Sequence, residues 1–249
     1  MVKTYTTSEV AEIIGIHPNT VRRYEELDLI SKPERLANGY RVFIEEHLLQ
    51  FRLARAAFEV EILQSGLRND AIAIVKTTAL RRYSEALRRT EEYLAHIRGE
   101  QENAEEAIAI ARGFHSGIRQ ADDGNAHTRK EIADLLNITI DTLRNWELNG
   151  LLTVKRKQNG YRVYNEYDMR ILKIIRTLRL ANYSLAAILR MLKALEDHPG
   201  SDMRDVIDTP GTDEDIISVC DRLLSSLMLA EQNAGKMTQL LQKMKNRDF

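Results

Sequence analysis

Arginine, asparagine and threonine side chains recur at matched positions in two segments of the chain. A guanidinium group bridges guanine O6 and N7 or binds phosphate, and an asparagine amide suits adenine or phosphate. Threonine hydroxyls reach less far and suit phosphate, and nearby basic and aromatic side chains can follow a nucleic-acid backbone. The first segment offers Asn19, Thr20, Arg22, Arg23, Arg35, Tyr40 and Arg41. The second offers Thr142, Arg144, Asn145, Lys155, Arg156, Lys157, Tyr161 and Arg162.

The sequence shows no comparable set of residues for catalysis or metal binding. It contains no nucleophile–base set, paired acids or phosphate-binding loop, and its six histidines lack the spacing of metal ligands. The single cysteine, Cys220, excludes an intramolecular disulfide, and its place on an apolar seam favours a small core residue. We therefore predict a protein that is not an enzyme and that uses no metal or cofactor.

Local charge is more informative than the net charge of −1, because a polyanion feels only the face that it touches. Residues 127–164 hold seven Lys and Arg against four acidic residues, a net of +3. Residues 1–44 hold six of each sign, a net of zero. The second segment is thus expected to bind phosphate readily, whereas the first must keep its acids away from a polyanion.

The two segments are copies of one another. Residues 6–25 match residues 128–147 at an offset of 122, and residues 38–42 match residues 159–163 at an offset of 121. The offset changes by one between these blocks, as expected where a loop differs in length. A match of this extent across several residue classes indicates an internal duplication.

Each copy encodes the same short elements. Thr6 and Glu9 have the T-x-x-E spacing of a capping box that begins a helix, and Gly15 suits the left-handed residue that ends it. A second short helix follows, which predicts a helix-turn-helix. Asn-Gly pairs then predict small β-hairpin wings within residues 31–44 and 153–164. The chain is therefore expected to be mainly α-helical, with two winged helix-turn-helix domains.

These motifs resemble the winged helix-turn-helix of MerR-family transcriptional regulators. In the first copy the resemblance rests on Thr-Val-Arg-Arg-Tyr-Glu-Glu-Leu-Asp-Leu-Ile at residues 20–30 and Gly-Tyr-Arg-Val-Phe at residues 39–43. In the second copy it rests on residues 142–152 and 160–164, and residues 169–192 resemble the family's third and fourth helices. The sequence departs from the family by carrying two heads and by reducing the paired aromatics to Arg23-Tyr24 and Asn145-Trp146.

The resemblance implies a mechanism as well as a fold. In this family, long helices pair antiparallel and set the spacing of two DNA-reading heads. Family members bend and untwist promoter DNA so that RNA polymerase can use a promoter with unfavourable spacing. Double-stranded DNA and RNA polymerase are therefore the partners that the resemblance implies.

Two stretches carry apolar or small residues in alternating steps of three and four, the spacing of a heptad seam. The first seam includes Leu80, Leu87, Leu94, Ile97 and Ile108. The second includes Ile216, Leu223, Leu227, Met237 and Leu241. Each stretch spans about 45 Å at 1.5 Å per residue, so the two match in length. We expect them to pair within the chain as a pseudo-dimer; pairing between two chains is the alternative.

The expected organisation alternates heads and long helices. It comprises a first head at 1–76, a first coiled-coil helix at 77–113, a linker at 114–126, a second head at 127–197, a loop at 198–212 and a second coiled-coil helix at 213–249. Without an apolar segment of signal or membrane length, a soluble cytoplasmic protein is predicted.

We expect a sequence-specific transcriptional regulator that reads an asymmetric promoter site, because Asn19 and Arg23 correspond to Asp141 and Asn145. A protein that sequesters a small molecule and an architectural or recombination accessory protein are the alternatives.

Overall fold

A computed structural model describes residues 3–60, 66–116 (without the side chains of 114–116), 127–153, 162–198, 200–209 and 222–247. The chain divides into two compact units. The first comprises Met1–Gly99 together with Leu227–Phe249, and the second comprises Glu100–Ser226. The C-terminal segment thus belongs to the same unit as the first head.

The first unit contains a helix-turn-helix, a small sheet and two further helices before the long helix begins. Its described strands form one antiparallel sheet in the order β1-β3-β2, in which Thr4 pairs with Ile44 and Glu34 with Val42. The strands are β1 (Thr4–Tyr5), β2 (Glu34–Arg35) and β3 (Arg41–Ile44). The helices are α1 (Thr7–Ile14), α2 (Pro18–Glu26), α3 (Glu45–Ala57), α4 (Leu67–Ala79) and the beginning of α5 (Tyr83–Ser116).

The second unit repeats this arrangement. Its helices are α6 (Arg129–Leu136), α7 (Ile140–Leu148), α8 (Glu166–Leu180), α9 (Leu185–Asp197) and α10 (Met203–Asp208), followed by the start of α11 (Leu223–Lys245). A bridge between His127 and Tyr164 stands where β1 and β3 pair in the first head. Most of its wing, residues 154–161, lies outside the described residues.

Matching caps begin and end the first helix of each copy. The Thr6 and Thr128 side chains accept from the N–H of Glu9 and Glu131, whose carboxylates accept in return from the threonine N–H at 2.7 Å. These backbone hydrogen bonds lower the pKa of both carboxyl groups, so the caps stabilise the fold at neutral pH and are lost as the pH falls through those lowered values. Both copies of the predicted capping box are thus present.

The tight turn after this helix needs a left-handed residue. Gly15 takes it at φ 73° and Asn137 at φ 48°, and both donate N–H groups back to the preceding helix. Glycine has no Cβ to clash there, and asparagine tolerates the same region. Both copies therefore form the same turn, although one has glycine and the other asparagine at this position.

The core of the first head forms where α1, α2, β3 and α3 meet. Val10, Val21, Phe43 and Phe51 are fully buried there, and Tyr24 stacks on Phe51 with ring centroids 5.3 Å apart. Burying aromatic and branched side chains supplies most of the stabilisation of such a small domain. This core holds α2 on the body of the head.

The long helix α5 begins later than the sequence predicts, and its seam differs. Leu80 lies in the turn before α5 and is 64% exposed, so its assignment to the seam is wrong. The chain turns at Arg81, which is left-handed at φ 61°, and the helix starts at Tyr83. Within α5, Ile97 and Ile108 are buried, whereas Leu87 and Leu94 are only half-buried. Their places on the buried stripe are taken by Ala86 and Tyr93.

The described part of the second long helix keeps a continuous buried stripe. Among the residues expected on this seam, Leu223, Leu227, Met237 and Leu241 are buried, and Ala230, Ala234 and Met244 extend the stripe. Ile216 and Cys220 lie outside the described residues.

Polar contacts tie α11 to the rest of the first unit. Arg98 Nε on α5 donates to Glu231 Oε1 at 2.8 Å, and Asn233 Nδ2 donates to Glu59 Oε2 at 2.8 Å. Near the end of the helix, Arg247 Nη1 donates to Glu45 at 2.5 Å. The C-terminal helix thus contacts both α5 and the first head.

A short helix interrupts the segment that the sequence predicts to be a loop. Asp202 caps α10 by accepting from the Arg204 N–H at 2.8 Å. At the other end of α10, the Asp208 carboxylate accepts from the N–H groups of Leu224 at 2.9 Å and Ser225 at 3.0 Å. It thereby satisfies backbone donors in the first turn of α11.

No helix in the described part of the chain is long and apolar enough to cross a membrane.

The revised seam can be tested by alanine substitution. Ile97→Ala and Met237→Ala should each lower the free energy of unfolding by about 2–5 kcal/mol, because both side chains are fully buried. Leu80→Ala, the matched control, should change it by less than about 0.5 kcal/mol. Urea denaturation followed by circular dichroism measures all three, and a Leu80 variant as destabilised as the other two would contradict the revised seam.

Candidate nucleic-acid interface

In the first head, the helix α2 presents its polar face to solvent. Val21 is fully buried, while the adjacent Arg22 is exposed. Arg22 Nη1 donates to Asn19 Oδ1 at 2.8 Å, and His17 caps the helix by accepting from the Asn19 N–H at Nδ1. Thr20 is half-buried. The buried valine therefore sets the roll of α2 and turns Asn19 and Arg22 outward together.

The corresponding helix of the second head, α7, is oriented in the same way on its own core. Leu143 is fully buried, and Arg144 is exposed, with no hydrogen bond or ion pair among the described residues. Thr139 caps the helix by accepting from the Thr142 N–H at 3.0 Å. Asn145 is exposed, and its Oδ1 accepts from Asn149 at 3.3 Å. Arg144 is thus the cation of this face that remains available to a ligand.

Arg23, the third residue of the first head that is predicted to read DNA, forms a weak ion pair with Glu26. Arg23 Nη1 lies 3.4 Å from Glu26, and both side chains are more than half exposed. An exposed pair of this kind contributes little stability, so a phosphate can displace the glutamate at small cost.

A mostly buried glutamate holds the wing of the first head to α2. Glu25 accepts from Arg35 Nη2 at 3.1 Å and from Arg41 Nε in a short contact. Because the Arg41 side chain is only 21% exposed, its first role is to fix the wing. Tyr40, which lies between these two arginines in the sequence, is 71% exposed.

Glu147 plays the equivalent part in the second head, where one of its two arginines, Arg129, comes from the start of α6. It lies 2.7 Å from Arg129 and 2.9 Å from Arg162, and it accepts from the Tyr164 hydroxyl. Burial, together with this hydrogen bond, raises the pKa of Tyr164 to about 12. Arg162 is therefore bound to Glu147 on α7 of the same head, as Arg41 is bound to Glu25 on α2 of the first head.

A groove beside Arg22 includes residues that the sequence analysis did not select. It runs from the start of α1, past Arg22, to the tip of the wing, and Thr7 and Ser8 line it. The duplication places Arg129 and Lys130 at the corresponding positions of the second head, and Lys130 is exposed. Alignment of the two copies of the repeat identifies Arg129 and Lys130 as the equivalents of Thr7 and Ser8 from the sequence alone.

Four predicted contacts, Lys155, Arg156, Lys157 and Tyr161, lie outside the described residues. The second wing therefore stays a prediction. No group of histidine, cysteine and acidic residues suited to a metal ion occurs within the described ranges.

The role of Glu147 can be tested by removing its charge. Glu147→Gln should lower the free energy of unfolding by about 2 kcal/mol, because two half-buried arginines lose their counter-ion. Asp134→Asn, an exposed change on α6, should have little effect. Chemical denaturation measures both, and equal stabilities would show that the glutamate does not hold the wing.

Comparisons with known proteins match both copies of the repeat. A profile described as "MerR family regulatory protein" matches residues 6–43, and one described as "MerR HTH family regulatory protein" matches residues 128–195. The HTH-type transcriptional regulator CueR of Escherichia coli O157:H7 is 37% identical over 94 residues, covering 34% of this chain and 70% of that protein. No solved structure gives a significant match.

Other relatives match shorter stretches. CueR of Salmonella typhi is 40% identical over 53 residues, covering 21% of this chain and 38% of that protein. An HTH-type transcriptional regulator of Synechocystis sp. is 38% identical over 52 residues, again covering 21% of this chain and 38% of that protein. With two helix-turn-helix copies, outward-facing arginines on both and these relatives, the chain belongs to the MerR family of DNA-binding transcriptional regulators.

Proposed function

We propose that this regulator reads an asymmetric promoter site with two non-identical heads carried by one chain. The observation that carries the proposal is the paired exposure of Arg22 and Arg144, each next to a fully buried neighbour on the second helix of a helix-turn-helix. Such helices insert their outward residues into the major groove, where arginine suits guanine.

Differences between the two helices support the asymmetry. Asn19 contacts Arg22 in the first head, whereas the second head has Asp141 at that position. Arg23 is likewise replaced by Asn145. A carboxylate repels phosphate and can accept from cytosine N4, while asparagine suits adenine, so the two heads should prefer different half-sites.

The distribution of charge supports unequal affinity. In the first head, Glu25 and Glu26 pair with three of the arginines expected to bind DNA, which leaves Arg22 without an acidic partner among the described residues. In the second head, Arg144 and Lys130 are both exposed. The second head is therefore the stronger phosphate binder in this proposal.

Pairing of the long helices within one chain would set the separation of the heads. Support comes from the hydrogen bond between Arg98 and Glu231 and from that between Asn233 and Glu59, both inside the first unit. Each contact joins the C-terminal helix to a distant part of the same polypeptide. A covalent pseudo-dimer explains why two heads can diverge, since no symmetry operation relates them.

Two reading helices at a separation set by the protein would also distort the DNA between them. A duplex must bend or untwist when its grooves do not match that spacing, and the additional binding energy of the second head offsets the deformation energy. Such distortion would present the promoter to RNA polymerase. The relatives' description as transcriptional regulators supports this partner.

The two arginines should affect different halves of the target. Binding-site selection from random DNA should yield two unlike half-sites, and Arg22→Ala or Arg144→Ala should each relax one half only. Each change should weaken binding by about 1–3 kcal/mol, measured by fluorescence anisotropy at fixed salt. Arg88→Ala, an exposed change on α5, is the control and should bind normally. A perfect inverted repeat would defeat the asymmetric model.

The pseudo-dimer predicts a stoichiometry. Light scattering should give one chain of 28.6 kDa free in solution and one chain per duplex when bound. The charge reversals Arg98→Glu and Glu231→Arg should each destabilise the chain, and their combination should restore much of the loss. Two chains per duplex would show that the helices pair between chains.

A further inference from the structure

The second head contains a cleft that the reading of DNA does not use. It lies between residues 150–153, α8 and α9, and has a volume of about 300 Å³. That volume is at the lower end for pockets that bind small molecules. Its apolar lining includes Leu151, Leu152, Ile171, Leu189, Leu192 and Leu195.

At the corresponding positions the first head carries a network of polar contacts. By the offset of 121, Tyr167, Asp168 and Ile171 of the cleft correspond to Glu46, His47 and Gln50. Glu46 is buried and binds one group from the turn between α4 and α5 and one from the first residue of α5. These are the guanidinium of Arg81, at 2.7 Å, and the hydroxyl of Tyr83.

The two groups that Glu46 binds are a phenol and a cation. Gln50 completes the site by accepting from the Ser31 N–H at 2.7 Å. In the second head the chain continues after α9 into α10, which packs against α9. No hydrogen bond or ion pair among the described residues joins Tyr167 to the segment after α9, whereas Arg81 and Tyr83 are both joined to Glu46.

The charges around the cleft favour a cation. Among the described residues that line it, the ionisable side chains other than Tyr167 are Asp168, Glu196 and Lys193. The Asp168 carboxylate is engaged by the Asn165 N–H at 3.0 Å, whereas Glu196 is exposed and has no partner among the described residues. Glu196 lies close enough to Tyr167 that, after burial, its charge is the next cause of the raised pKa of that phenol.

We propose that this cleft binds a small aromatic cation, with its ring among the leucines and its charge at Glu196. The ligand would join α8 to α9 in the second head, as Arg81 and Tyr83 join α3 to the α4–α5 turn and the start of α5 in the first. Occupancy would stabilise the second head selectively. The site does not depend on the proposed reading of DNA, because the recognition residues of α7 do not line it.

Tyramine is the probe, since it combines a phenol ring with an ammonium group. Titration into the full chain, followed by ¹H–¹⁵N NMR, should give saturable shifts confined to residues 150–153, 167–171 and 189–196. A dissociation constant on the order of 1 mM is expected for so small a ligand. The anionic analogue 3-(4-hydroxyphenyl)propionate should bind at least about tenfold more weakly.

Matched variants locate the ring and the charge. Leu189→Trp should fill the cleft and abolish the shifts, whereas Leu180→Trp, on the exposed end of α8, should preserve them. Glu196→Gln should weaken binding about threefold, and the neighbouring Asp197→Asn should not. If the Leu189 variant fails to fold, the glutamate pair decides.

Absence of saturable shifts with tyramine, shifts outside the cleft, or equal binding of the anionic analogue would each overturn the proposal. Unchanged binding by either Leu189→Trp or Glu196→Gln would do the same. DNA affinity is measured separately, so failure of this site leaves the proposed regulation of a promoter intact.

Discussion

Complete burial of one aliphatic side chain on each second helix is the constraint on which both heads depend. Val21 and Leu143 have no exposed surface, so their helices cannot roll without opening a cavity. This anchoring turns Arg22 and Arg144 outward at equivalent positions. The polar residues can therefore diverge between the copies while the orientation of the helix is preserved.

The ion pairs inside each head hold the fold together, and only the remaining charges are available to a ligand. Glu25 and Glu147 draw arginines from the wing, or from the start of the first helix, onto the second helix. In a partly buried site, a charge without its partner is costly, so these arginines stay in place. The basic side chains that are available to DNA are therefore those without an acidic partner of this kind.

The first head is joined to its long helix by a polar network around the buried Glu46. Glu46 binds Arg81 and Tyr83, and Gln50 reaches Ser31 after the second helix. Burial lowers the pKa of the adjacent His47 and so disfavours its charged form, and its Nδ1 accepts from the Ile44 N–H at 3.0 Å. The second copy has apolar or aromatic residues at two of these positions, and there the structure has an open cleft instead.

The sequence by itself determined the duplication, the capped helices, their left-handed turns and the family. These features depend on neighbouring residues, such as Thr6 with Glu9, whose spacing dictates the hydrogen bonds. The heptad steps also revealed a seam, but not its phase: Leu80 is exposed because the chain turns at Arg81, while Ala86 and Tyr93 are buried.

Only the tertiary structure decided which cations are engaged, that α11 from Leu227 onward belongs to the unit of the first head, and that a cleft lies between α8 and α9 of the second head. Each of these depends on contacts between residues far apart in the chain, such as Arg98 with Glu231. Local spacing carries no information about such contacts, because the packing of whole elements brings these residues together.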